Sequence, residues 1–268
     1  MDAHAKTSAG CTYCYAEHLA EQRRGTEAFP RGFELTKRPH KLDAPRSKRR
    51  GSLIFASSMT DVFYDGIDDA YRHQIFDTIE TTPRHRYQIL TKRPEIALKW
   101  FRARPCPDHV WLGVTVEDAR VARRLDVLRK IDARVKFVSA EPLIGSLDSI
   151  DLSGIDWLIA GGESGGHLKQ PGVAEERALV RRGGRGEKLW VPREDRYDWV
   201  RSLRDRCLSD GIAFWFKQWG GPTPTSAGRI LDGRTWDERP TVPGALPEGY
   251  IHAERQTHGR IVLPIAAE

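Results

Sequence analysis

The stretch Val110-Trp111-Leu112-Gly113-Val114-Thr115, the residues Ala119, Ala122, Leu125, Leu128 and Ile131 beyond it, and the run Lys136-Phe137-Val138-Ser139-Ala140 spell a strand, a helix and a second strand. β-Branched and aromatic residues crowd the two runs, as in strands buried on both faces. Between them the apolar residues recur at every third position with Arg120, Arg123, Arg124 and Asp126 alongside, the stripe of a helix that lies on a core. A connection of that length makes the two strands parallel.

The alternation extends in both directions. Strand-like runs lie at 52–57 and 87–91 on one side and at 157–161 and 213–217 on the other, and helices are predicted near 12–24, 68–81, 94–102, 117–131 and 194–209. The last of these turns Trp199, Val200, Leu203 and Cys207 inward and stops at Gly211, just before the strand from Ala213. The class is therefore α/β, and the repeated βα units predict a parallel (β/α) barrel of the partial TIM type that fills 1–221 as one domain. Residues 167–189 carry Gly and Arg without a steady period and are expected to form an inserted loop; 222–268, rich in Pro and Gly, are expected to form an irregular C-terminal tail.

Composition narrows the function classes. No apolar run reaches the ~18 residues of a membrane span and the N-terminal residues lack a secretory signal, so no membrane is expected and a cytoplasmic location is. Four cysteines, at 11, 14, 106 and 207, do not make a disulfide scaffold and suit a reducing compartment. Lys and Arg exceed Asp and Glu by 43 − 37 = 6, which allows an anionic partner such as nucleic acid or a nucleotide; Lys48-Arg49-Arg50 and the loop with Arg181, Arg182 and Arg185 hold much of that excess.

In parallel barrels, catalytic and binding residues gather at the C-terminal ends of the strands, where loops vary without disturbing the core. Polar groups recur at those ends: Ser58 and Asp61, Lys92 and Arg93, Glu117 and Asp118, Glu141, Gly161-Gly162-Glu163 and Lys217. Lys92, Arg93 and Lys217 suit carboxylate or phosphate, while Asp61, Glu117, Glu141 and Glu163 suit amines, hydroxyls and proton transfer. Gly161 and Gly162 let a ligand approach the backbone. Lys92, Glu117, Glu141 and Lys217 are the catalytic candidates; Ser58, Asp61, Gly161, Gly162 and Glu163 are candidates for binding a cofactor. Each also has a plainer role, as helix cap, ion-pair partner or turn.

Cys11 and Cys14 stand in a C-x-x-C pair at the entry to the first predicted helix, where thiolates gain from the helix N-terminus and bind soft metals. Three readings are open. Zinc needs two further ligands, for which His4 and His18 are the near candidates and a hydrolase with Glu141 or Glu163 as base the outcome; a redox dithiol wants a strand before the pair; an iron–sulfur cluster takes these thiolates and more.

The ordered motifs Cys11-Thr12-Tyr13-Cys14-Tyr15-Ala16-Glu17, Phe33-Glu34-Leu35-Thr36, Ser58-Met59-Thr60-Asp61-Val62-Phe63, Leu90-Thr91-Lys92-Arg93-Pro94-Glu95, Leu112-Gly113-Val114-Thr115-Val116-Glu117, Ser139-Ala140-Glu141-Pro142-Leu143, Gly161-Gly162-Glu163-Ser164-Gly165 and Phe216-Lys217-Gln218-Trp219-Gly220 resemble a phage-protein family of unknown function. That family carries a three-cysteine motif and looks like a divergent branch of the radical-SAM superfamily. The resemblance implies a [4Fe–4S] cluster with Cys11 and Cys14 as ligands, its open iron binding S-adenosylmethionine, and chemistry through a 5′-deoxyadenosyl radical. It places Tyr15 where relatives set an aromatic beside the cluster, near the adenine. The family's first cysteine, a few residues upstream after a short strand, has no counterpart, and His4 stands near its place. Either residues precede Met1 in the full protein and supply that cysteine and a first barrel strand, or the ligand is lost; the first is the expectation. A non-catalytic barrel that binds nucleic acid or a protein partner through 181–186 is the alternative.

Overall fold

The computed structural model describes residues 6–56, 58–186 and 188–240. In chain order its elements are α1 (Tyr15–Gln22), α2 (Ala44–Ser47), β1 (Leu53–Phe55), α3 (Asp69–Glu80), β2 (Arg86–Thr91), α4 (Pro94–Ala103), β3 (Val110–Thr115), α5 (Arg123–Leu128), β4 (Val135–Ala140), β5 (Trp157–Gly161), α6 (Val173–Arg177), β6 (Val180–Arg182), β7 (Trp190–Pro192), α7 (Glu194–Asp210) and β8 (Ala213–Gln218). Strands β1, β2, β3, β4, β5 and β8 form one parallel sheet in that spatial order, curled into a half-barrel, while β6 and β7 pair as a separate antiparallel hairpin. The predicted strands and the helices α3, α4 and α7 thus fall where the periodicity set them.

Alternation along the strands divides their side chains between two faces. Ile54, Ile89, Leu112, Val114, Val138, Leu158 and Phe214 join Ile75, Phe76, Trp100, Leu125, Leu128, Val200 and Leu203 of the covering helices in the main core. Trp111, Val135, Phe137 and Trp157 form a second buried cluster on the other face, with Leu53, Leu90, Ile159 and Trp215 half-buried around them. Gly113 lies opposite Phe137 in the register, and a Cβ on it would stand 2.5 Å from that ring, so the aromatic side chain fills the space that the glycine leaves. Trp111 and Trp157 meet edge to face at 5.7 Å.

Three stretches differ from the sequence reading. The helix predicted over 117–131 is reduced to a 3-10 turn at Ala119–Val121 and α5, because Asp118 caps the turn through the Arg120 amide and Glu117 continues the line of β3 as a fully buried side chain. Arg124, read as flanking the apolar stripe, is itself buried and points at Glu117. The first helix begins at Tyr15 rather than near 12, since Ala9–Cys11 form a 3-10 turn and Cys14 is the N-cap.

Residues 167–189 are more than a loop: they contain most of a 3-10 turn, α6 and β6, which pairs with β7 just beyond them, and they bury Leu168, Ala174, Leu179 and Val180. After β8, the chain returns along that strand's outer edge, where the Phe216 amide donates to Trp236 O at 2.9 Å and the Glu238 amide to Phe214 O at 3.1 Å. Leu231 and Trp236 enter the core there, so the first part of the tail covers the sheet edge. Residues 241–268 lie outside the described residues.

Candidate functional site

The strand ends meet at one mouth, and their charges are paired to one another. After β1, Asp61 accepts from the Thr91 hydroxyl and the Lys92 amide, each at 2.9 Å, and from the Phe63 amide at 2.9 Å, with Arg93 at 3.5 Å. After β3, Glu117 accepts from Arg124 at 3.0 Å and faces the Lys92 ammonium at 3.5 Å, while Lys92 donates to Thr115 Oγ1 at 3.1 Å. After β5, the buried Glu163 is held in a fork by Arg177, whose Nη2 donates to Oε1 at 2.7 Å, with His167 at 3.6 Å. Glu141 after β4 pairs with Lys217 of β8 at 3.0 Å. Carboxylates this buried persist only because cations and amides surround them.

The cysteine loop lies across this mouth. Ser8 donates to Glu117 Oε1 at 2.6 Å and its oxygen stands 3.8 Å from Cys11 Sγ. Arg124 reaches Thr7 Oγ1 at 3.3 Å, and Arg177 reaches Ala9 O at 3.0 Å. Gly10 packs so closely on the Glu117 side chain that a Cβ would meet it at 2.5 Å. Tyr13 stacks on the His167 ring with centroids 4.1 Å apart, and the Arg177 guanidinium lies 5.0 Å from the Tyr13 ring. Beside them the Tyr15 hydroxyl donates to Ser58 O.

Electrostatics distinguish Cys11 from the other thiols. Burial alone raises its pKa, but the Lys92 charge and hydrogen bonds from the Thr7 and Ser8 amides outweigh it, leaving the thiol below its ordinary value of 9.0. Cys106 and Cys207, away from the mouth, are buried among apolar groups and pushed up to about 12. Burial also lowers the His167 pKa despite Glu163, so a neutral imidazole stacks on Tyr13.

Several strand-end candidates are spoken for by the protein. Asp61 and Glu163 have their oxygens filled by amides, hydroxyls and arginines. Gly162 does not open room for a ligand: a Cβ there would stand 1.9 Å from Trp219 O, because its backbone packs on the end of β8, where its amide donates to Gln218 O at 2.8 Å. At Gly161 a Cβ would meet Glu141 Oε1 at 2.6 Å. Lys217 is the mouth charge that water reaches most, its side chain 41% exposed against 18% for its partner Glu141.

Sequence reasoning missed Ser8, Tyr13, His167 and Arg177. Arg177 carried no signal, for it sits inside the stretch taken as a loop, whereas Tyr13 stood between the two cysteines and invited a role. Arg181 and Arg182 lie on β6, with the Arg181 guanidinium bonded to Arg182 O at 3.1 Å.

The donor chemistry of the two cysteine sulfurs fits a soft metal, with Cys11 favoured toward the thiolate. Among the described residues no group of three or more His, Cys, Asp and Glu is arranged to hold an ion. His4, near the place of the missing ligand, lies outside the described residues.

No helix among the described residues is long and apolar enough to cross a membrane. No curated protein matches the chain. One family model, described as a protein of unknown function (DUF5131), matches residues 3–178 and 183–240. That match takes in the cysteine loop, all six strands of the sheet and every charged group of the mouth, and on it the chain belongs to the DUF5131 family.

Proposed function

We propose that the protein is an iron–sulfur enzyme of the radical-SAM type, with Cys11 and Cys14 as cluster ligands above the strand-end mouth and a nucleotide or nucleic acid as substrate. The observation that carries this reading is the docking of a C-x-x-C loop onto the C-terminal mouth of a parallel half-barrel, with Cys11 held toward the thiolate. A loop tied at Thr7, Ser8, Ala9 and Tyr13 to β3, α5 and the β5 side sets Cys11 beside Ser8 and Lys92 at the mouth, with Cys14 three residues on at the start of α1.

The resident residues then divide their tasks. Lys92 and the Thr7 and Ser8 amides favour the Cys11 thiolate, which a metal needs. Glu117 and Glu163 position the loop through Ser8 and Arg177 rather than meeting a ligand. Glu141 and Lys217, paired but wet, can exchange each other for a zwitterion, Lys217 taking a carboxylate and Glu141 an ammonium, the two charges of the S-adenosylmethionine amino-acid end. Tyr15, 60% exposed and tethered to Ser58, offers an aromatic face at the rim. When bound, the cluster supplies the electron for reductive cleavage of the sulfonium.

Anaerobic reconstitution with ferrous iron and sulfide tests the reading. The expected result is a brown protein with visible absorbance that S-adenosylmethionine perturbs in electron paramagnetic resonance, and that is lost in Cys11→Ala and Cys14→Ala. A colourless protein that retains zinc overturns it.

A further inference from the structure

At the end of the sheet opposite the mouth, the loops that enter β1 and β2 form a corner without acidic residues of its own. Residues 44–60 and 81–94 contain no Asp or Glu; the first stretch holds Arg46, Lys48, Arg49 and Arg50 before its strand, and the second holds Arg84 and Arg86. These loops are locked together by backbone contacts. Arg84 donates to Lys48 O at 2.7 Å, Arg46 O at 2.9 Å and Pro45 O at 3.0 Å. His85, its pKa lowered by burial, bridges as a neutral ring: Nδ1 accepts from the Ser52 amide at 3.2 Å, which leaves Nε2 to donate to Pro45 O at 2.9 Å.

The corner's positive charge is poorly compensated. Asp43 pairs with Arg46 at 2.5 Å. Lys48, Arg49 and Arg50 are exposed, and among the described residues no carboxylate pairs with them. Arg86 is crowded by a like charge on Arg134, which adds to burial in lowering its pKa. The contacts of Arg84 and His85 fix the backbone from which Lys48, Arg49 and Arg50 project.

We propose that this corner binds the phosphate backbone of a nucleic-acid duplex. The chemistry singles out that partner. The segments 44–52 and 81–86 contain no Phe, Tyr or Trp, so the corner offers no platform on which unpaired bases stack. The exposed large apolar residues, Tyr15, Leu189, Leu208 and Ile230, lie elsewhere, so nothing there enters a lipid surface. What remains is a rigid set of cations suited to phosphates and indifferent to sequence. The corner is independent of the iron–sulfur reading, since it shares no residue with the mouth.

Fluorescence anisotropy with a short mixed-sequence DNA duplex tests it, beside the matching single strand and vesicles of phosphatidylserine and phosphatidylcholine. The duplex is expected to bind more tightly than either, with steep salt dependence. The variant Lys48→Glu/Arg49→Glu/Arg50→Glu is expected to lose roughly tenfold or more in affinity and about three units of the log–log salt slope. Its melting should match the wild type, and Arg49→Ala/Arg50→Ala should move the same way by less. No duplex binding, unchanged affinity and slope in both variants, or preference for vesicles or single strand would each overturn the proposal.

Discussion

The two ends of the half-barrel use charge in opposite ways. At the mouth, the buried Glu117 and Glu163 and the half-buried Asp61 are enclosed by Arg124, Lys92, Arg177, Arg93 and backbone amides. At the opposite rim, Lys48, Arg49 and Arg50 stand in water, and among the described residues no carboxylate pairs with them. In the low-dielectric mouth a charge without a partner is costly, so pairing there serves geometry and holds the cysteine loop in place. At the rim, water screens the cations from one another, and they remain free for a partner from outside.

Breaking the mouth should have the largest effect. Glu117→Ala leaves Arg124, 4% exposed, with an uncompensated charge and frees Ser8, and a loss of about 3–5 kcal/mol is expected. Chemical denaturation measures it; a variant as stable as the wild type would mean that the network does not hold the mouth together. Reactivity sharpens the contrast further. In metal-free protein Cys11 should alkylate with a midpoint below 9.0, while Cys106 and Cys207, held near 12, stay unmodified until the chain unfolds.

Lys92→Met removes the cation that favours the thiolate, so the Cys11 midpoint should rise and its rate at neutral pH fall several-fold, read by mass spectrometry against pH. Linkage gives the matching sign for stability. Because the folded pKa of Cys11 is depressed, its contribution is present above about 9 and is lost as pH falls through the folded value. The smallest effect belongs to Lys217, whose ammonium is well exposed: Lys217→Ala should change stability by less than ~1 kcal/mol in thermal melts, since solvent screens its bond to Glu141. A larger loss would place that pair with the buried network.

Much of the fold was legible beforehand because its signal is local. The run Val110–Thr115 is β-branched and aromatic whatever surrounds it, and the stripe Val200, Leu203, Cys207 has a helical period within its own segment. The strand-end candidates were also legible, since a polar residue that closes an apolar run marks where a parallel strand stops. Local signals misled where a residue answered to a distant partner. Arg124 sits on the polar side of its helix by sequence but is drawn in by Glu117, and Arg177 has meaning only beside Glu163 and the Ala9 carbonyl.

The order of apolar and polar residues along the chain was enough for an α/β protein of parallel strands, for the placement of polar groups at the strand ends, and for a thiol pair suited to a soft metal. Those properties follow from short-range periodicity and the chemistry of single side chains. Which charges pair, that the cysteine loop crosses the mouth instead of hanging beside it, and that two acid-free loops share one corner are matters of contacts between residues far apart in sequence. Ser8 and Glu117 are 109 positions apart, and Ala9 and Arg177 are 168. Such pairs exist only once the curled sheet brings them together, because a hydrogen bond or ion pair acts over a few ångströms and carries no trace in the local pattern.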